Sequence, residues 1–160
     1  MRLAIVAVGR LKDGPERALY LTYAKRVDEA GRALALGPLS LAELPEGRAA
    51  GTAQRRADEA GRILERAGDG SVLVALDGGG KALSSEAFAH WLAEKRDGGQ
   101  RSVAFLIGGP DGHGDEVLKK ASLKLSLGPM TLPHGLARIV LTEQLYRAQT
   151  ILAGHPYHRA

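Results

Sequence analysis

The sequence predicts an α/β fold in which a mostly parallel sheet carries helices on both faces, and three features point there. Continuous apolar and β-branched runs at residues 2–8, 71–76 and 102–107 have the composition of strands covered on both sides, which belong to parallel sheets. Between them lie segments with helical spacing of apolar residues, so strand and helix alternate. Each run ends at glycine: Gly9, the triplet at 78–80, and the pair Gly108 and Gly109. Such turns sit at the carboxyl edge of a parallel sheet, where α/β proteins bind ligands.

Taken in order, residues 2–8 form the first strand. Residues 15–30 place Ala18, Leu19, Tyr23, Val27 and Ala30 at helical spacing, with Pro15 near the start and Gly31 just past the end. A weaker strand is expected within 34–44, interrupted by Gly37 and Pro38, and a charged amphipathic helix within 52–67, stopped by Gly68 and Gly70. Residues 71–76 are the second buried strand. Ser84 or Ser85 then caps a helix running through Phe88, Trp91 and Leu92 to Arg96. Residues 102–107 are the third buried strand, followed by a glycine-rich loop, a short helix at 115–121 and a short strand at 123–127. A last helix spans 134–153, with Leu136, Ile139, Val140, Ile151 and Leu152 expected to face the core. The length of 160 residues suits one domain, 1–160, and no repeat or linker divides it.

Hydrophobic residues at 44% and charged residues at 25% are globular values. Twenty-two Lys and Arg against 18 Asp and Glu leave a formal net charge of +4, which permits a polyanionic partner without requiring one. The absence of cysteine removes disulfide frameworks, Cys-based zinc sites and thiol catalysis. The first apolar run is too short to span a bilayer and lacks the layout of a signal peptide. A cytoplasmic protein without a membrane partner is expected.

The glycine-rich loops match no nucleotide fingerprint. Gly108, Gly109, Gly112 and Gly114 miss the i, i+2, i+5 spacing of the dinucleotide motif, and Asp115 stands where a phosphate loop needs lysine. Residues 125–134 are odder still. Pro129 and Pro133 remove backbone donors, so neither sheet nor helix continues. A rigid, apolar, irregular loop of that kind offers backbone groups rather than charges, which suits a flat heteroaromatic ring better than a phosphate. In the last helix, Glu143 and Arg147 are four apart and read as a surface pair. The tail, His155, Pro156, Tyr157, His158 and Arg159, gathers titratable, aromatic and cationic groups. Proline between its histidines and the lack of a nearby carboxylate argue against a metal site.

Leu106-Ile107-Gly108-Gly109-Pro110-Asp111-Gly112, Leu125-Ser126-Leu127 with Met130-Thr131-Leu132-Pro133-His134, Glu143-Gln144-Leu145-Tyr146-Arg147-Ala148 and His155-Pro156-Tyr157-His158-Arg159 follow one another in this order. Together they resemble the ribosomal RNA large subunit methyltransferase H family of the SPOUT superfamily, over the whole chain. The resemblance implies a homodimer with a C-terminal trefoil knot and S-adenosylmethionine as methyl donor. The implied reaction is methylation at N3 of a pseudouridine in 23S ribosomal RNA, on the large subunit or the assembled ribosome. It also implies donor contacts at Leu76, Gly108, Leu127, Gly128, Pro129, Met130, Thr131 and Leu132. Gly128-Pro129 departs from the commoner family form, which has a serine and a variable residue there.

Methyl transfer from a sulfonium needs no metal, but the imide nitrogen must lose a proton. Tyr157 and His158 are expected to orient the base and assist that step, while Arg159 and Arg138 bind phosphate or the developing anion. His134 is set aside as a base because it stands where it can cap the last helix. Two other readings remain open on the residues: action on another RNA such as tRNA, and a non-catalytic RNA-binding assembly factor.

Overall fold

The computed structural model describes residues 1–159. Five strands, β1 (Arg2–Val8), β2 (Leu39–Leu44), β3 (Val72–Ala82), β4 (Ser102–Ile107) and β5 (Leu123–Ser126), alternate with α1 (Pro15–Gly31), α2 (Thr52–Ala67), α3 (Ser85–Asp97), α4 (Asp115–Lys120) and α5 (His134–Leu152). All strand pairings are parallel, in the order β2-β1-β4-β3-β5. The expected α/β class and the helices on both faces are therefore present.

The two-residue period of a strand divides the core cleanly. Leu3, Ile5, Val103 and Phe105 pack with Tyr20 and Val27 of α1, Phe88 and Leu92 of α3, and Leu141 and Leu145 of α5. Their neighbours Val6, Val8, Ala104 and Leu106 pack on the other face with Ala60 and Ile63 of α2 and Val117 of α4. Each large aliphatic or aromatic side chain fully removed from water contributes about 1.5–3 kcal/mol. The central strands β1 and β4 carry most of that burial. Their apolar continuity, read from sequence, has this two-sided cover as its cause.

Three local expectations change. The second strand is confined to Leu39–Leu44, because residues 32–34 form a 3-10 turn and Ala35 takes a left-handed conformation. The helix α5 keeps only part of the expected stripe: Ile139 is buried and Ile151 and Leu152 pack against the core, but Leu136 is 40% exposed, while Leu141, Leu145 and Ala148 are enclosed as well. It lies between α1 and α3 and is covered on more than one side. Finally, β3 does not stop at Leu76. It continues through the glycine triplet to Ala82, with a register shift between Leu76 and Lys81 where it pairs with β5. A Cβ on Gly80 would lie 2.6 Å from the Lys124 backbone, so close approach of two strands, rather than a turn, is what needs glycine there.

Candidate functional site at the carboxyl edge

Because every strand runs the same way, Gly9, Gly108 and the segment after β5 all emerge on one edge of the sheet, with Leu76 of β3 level with the end of β4. At Gly108 the chain turns so tightly that a Cβ would lie 2.9 Å from the Gly112 carbonyl carbon. The Gly112 N–H donates to the Gly109 carbonyl at 2.9 Å, and Asp111 holds Arg55 of α2 at 2.9 Å. The loop is thus a closed turn pinned to α2. Its His113 is buried, with Nε2 3.0 Å from the Leu106 carbonyl. Burial lowers its pKa and keeps the ring neutral.

The segment after β5 is irregular, as its prolines require. Ser126 Oγ donates to the Gly128 carbonyl and accepts from the Gly128 N–H, both at 3.2 Å, and Gly128 has φ +123°. That backbone is open to glycine and strained for other residues. Beyond it Met130 is 82% exposed. The loop ends at α5, where His134 is the first helical residue and packs against Gly9: a Cβ there would lie 2.9 Å from Nε2. Pro133 precedes the helix and no side chain caps it. His134 therefore does not cap, contrary to expectation.

A cleft of about 340 Å³ opens between this loop and α3. Leu83 and Phe88 line one side, Leu125, Leu127 and Gly128 the other, and Gln144 of α5 the base. Ser85 Oγ donates to Gln144 Oε1 at 2.7 Å across it. Mostly apolar walls with a few fixed polar groups are the usual make-up of small-molecule sites. Of the expected donor residues, Leu127 and Gly128 line this cleft; Leu76 within β3 pairs with Ile107, beside Gly108, and Pro129, Met130, Thr131 and Leu132 continue along the loop. A larger depression of about 590 Å³ lies over the ends of β1 and β2, lined by Arg10, Glu43, Glu46 and Arg48. Its charged walls suit the apolar-loop chemistry poorly.

The tail folds back on its own chain beside the smaller cleft. Tyr157 Oη donates to Glu143 Oε1 at 3.0 Å, and its ring meets Tyr146 edge-on at 4.8 Å. The Arg147 guanidinium sits over the same ring at 4.9 Å and is also held by Glu143. Burial, then hydrogen bonds with Tyr23 and Glu143, raises the Tyr157 phenol above its ordinary value. It is protonated at neutral pH and is a hydrogen-bond donor rather than a base. His158 Nε2 lies 2.7 Å from Glu86 Oε1, and Nδ1 lies 3.4 Å from Arg147 Nη1. Glu86 stands in the first turn of α3, after the Ser84 cap. A hydrogen bond from its own backbone N–H, then those from His158 and Ser84, holds its carboxyl at about 2. Arg159 is exposed.

Two expectations need correction. Glu143 and Arg147 do pair, but as the clamp on the tail rather than as a free surface pair. Arg138 does not face a polyanion: it is fully enclosed, donating to Glu43 at 2.9 Å and to the Gly9 carbonyl at 3.1 Å. It ties α5 to β1 and β2. Sequence reasoning missed Glu86 altogether. The only local signal was a carboxylate in the first turn of a serine-capped helix, an ordinary feature of helix starts. No group of three or more His, Cys, Asp or Glu suited to a metal ion occurs among the described residues, and no helix is long and apolar enough to cross a membrane.

Comparison with known proteins agrees with this architecture. A family described as predicted SPOUT methyltransferase matches residues 1–158. Ribosomal RNA large subunit methyltransferase H of Bradyrhizobium diazoefficiens is 52% identical over 160 residues, covering 100% of both chains, and that of Brucella anthropi is 50% identical with the same coverage. A probable methylase family protein of Haemophilus influenzae Rd KW20 superposes with a TM-score of 0.50 at 16% identity, covering 99% of this chain and 70% of its own; that likeness concerns the fold. By family match and full-length identity, the chain belongs to the SPOUT methyltransferases, within the ribosomal RNA large subunit methyltransferase H family.

Proposed function

We propose that this protein transfers a methyl group from S-adenosylmethionine to N3 of a pseudouridine in 23S ribosomal RNA, on the large subunit or assembled ribosome. It acts as a cytoplasmic homodimer whose whole chain, 1–160, is one SPOUT methyltransferase domain with a C-terminal trefoil knot. The observation that carries this reading is the juxtaposition of an apolar cleft with the tail: Ser85 and Gln144 line the cleft, and the adjacent Glu86 and Glu143 hold His158 and Tyr157.

The cleft volume lies within the roughly 300–1,000 Å³ of small-molecule sites, and its apolar walls with the open Gly128 backbone fit an adenosine and thioether. Leu76, Gly108 and the run Leu127, Gly128, Pro129, Met130, Thr131 and Leu132 hold the donor, which supplies an electrophilic methyl on its sulfonium. Positioning dominates such a displacement, since orienting two reactants is worth up to about 7–11 kcal/mol. Tyr157, its hydroxyl held by Glu143, orients the incoming base with its ring, His158 assists loss of the imide proton, and the exposed Arg159 meets phosphate. Arg138 has no part in this, being committed to Glu43.

Donor-dependent methylation assayed on naked ribosomal RNA, isolated large subunits and whole ribosomes tests the proposal. Incorporation at one pseudouridine, strongest on an assembled particle, is the expected result. Incorporation into tRNA alone, or no binding of the donor by calorimetry, would replace it with another target or a non-catalytic binder.

A further inference from the structure

We propose that Glu86 is the positioning residue of the site: its carboxylate accepts a hydrogen bond from the Nε2–H of His158 and so presents Nδ1 as the imidazole's basic nitrogen. This rests on the reading of His158 as the group that faces the substrate imide. Chemistry at the two ring nitrogens resolves the tautomer. An ionised carboxylate only accepts, so the 2.7 Å contact with Glu86 requires Nε2–H. A guanidinium only donates, so the 3.4 Å contact with Arg147 requires a lone pair on Nδ1. Both partners demand one form, the neutral Nε2–H tautomer.

The two contacts differ in strength. The one to Glu86 is short; the one to Arg147 is at the outer limit of a hydrogen bond. Nδ1 is accordingly the nitrogen that can exchange its partner for an imide N–H. In the step, the N3–H bond breaks, the proton moves to Nδ1, and the electron pair stays on N3 as nucleophile. The imidazolium formed lies against Glu86. The same carboxylate that fixes the tautomer therefore stabilises the charge, the division of labour seen in base-orienting carboxylates elsewhere.

Glu86 is suited to this by its place in the fold. The first turn of α3 favours a fixed negative charge, the Ser84 cap fixes the turn, and Ser85 beside it reaches Gln144. The other ionisable groups around His158 are Arg147 and Glu143 on α5 and Tyr157 in the tail, which itself meets Tyr23 of α1. Among these, Glu143 is already engaged by Arg147 and Tyr157, so Glu86 is the carboxylate free to serve the imidazole.

The test uses the full-length protein with Glu86→Gln, Glu86→Ala and His158→Ala. Long-range ¹H–¹⁵N spectra of the imidazole, with no donor present, should show the Nε2–H tautomer in the wild type and a mixture in Glu86→Ala. In turnover, kcat should drop at least about tenfold, out of the roughly 10²- to 10⁴-fold a positioned base supplies. The KM for donor should stay constant. An unchanged tautomer in Glu86→Ala would overturn the proposal, as would wild-type kcat in both Glu86 variants. If His158→Ala methylates normally, the reading of His158 fails and the positioning role falls with it. If His158→Ala is inactive while the Glu86 variants are silent, the positioning role alone falls.

Discussion

Arg138 shows how one side chain changes meaning once its surroundings are known. In the sequence it is an arginine on the helix leading to an RNA-facing tail, and a phosphate contact is the natural expectation. Its actual partner, Glu43, lies 95 positions away, and no local pattern announces that pairing. Arg138→Met should destabilise the fold by about 3 kcal/mol in chemical denaturation, because it strips Glu43 of its buried cation and the Gly9 carbonyl of its donor, leaving Glu43 only the cation of Arg17 at 3.8 Å. Donor affinity of the folded fraction should change little, whereas a phosphate-binding role would leave stability intact and weaken RNA binding. Gly128 is a second case, since its departure from the commoner serine coincides with a backbone at φ +123°. No atom lies within 4 Å of a Cβ placed there, so the cost of Gly128→Ala is conformational alone. About 1–3 kcal/mol of strain should appear as weaker donor binding in calorimetry, with little change in RNA affinity.

Among the elements, those with strong internal periodicity were readable in advance. β1, β4, α1, α2 and α3 lie within a few residues of their expected ends, because two-sided burial and glycine or proline punctuation are local facts. What was not readable depends on distant neighbours. The overrun of β3 through its glycines follows from the approach of Lys124, some forty positions on. The inward faces of α5 are decided by α1 and α3 together, so its apolar residues follow no single stripe. Of the site, the donor loop and tail could be singled out by residue type, whereas Glu86, 72 positions from His158, could not. The tail is the element on which activity should turn. A chain ending at Pro156 should lose methylation while binding donor nearly as well as the full protein, because Tyr157 and His158 rest on Glu143 and Glu86 rather than lining the cleft. Normal turnover by that truncation would show that the tail is dispensable.

For the whole molecule, one contributor to stability acts between neutral pH and about pH 5. His113 is enclosed and neutral, with a folded pKa below the 6.5 it has when unfolded. Between those two values the unfolded chain binds a proton the folded chain refuses, so stability falls as pH falls, by up to about 1.4 kcal/mol per pH unit. Denaturation of His113→Gln from pH 7.5 to 5 should show a shallower slope than the wild type over that window. An equal slope would show that His113 does not carry the loss. The donor loop invites a last consequence. It is strung between β5, seated in the sheet, and the first turns of α5, which Arg138 bolts to β1 and β2 and which press so closely on α1 that a Cβ on Gly135 would lie 2.7 Å from the Glu16 carboxylate. With both ends anchored and two prolines between them, the segment has little chain entropy left to surrender. Its capture of a ligand should be fast and rigid-body in character, with a small heat-capacity change set by the area covered rather than by a loop folding into place.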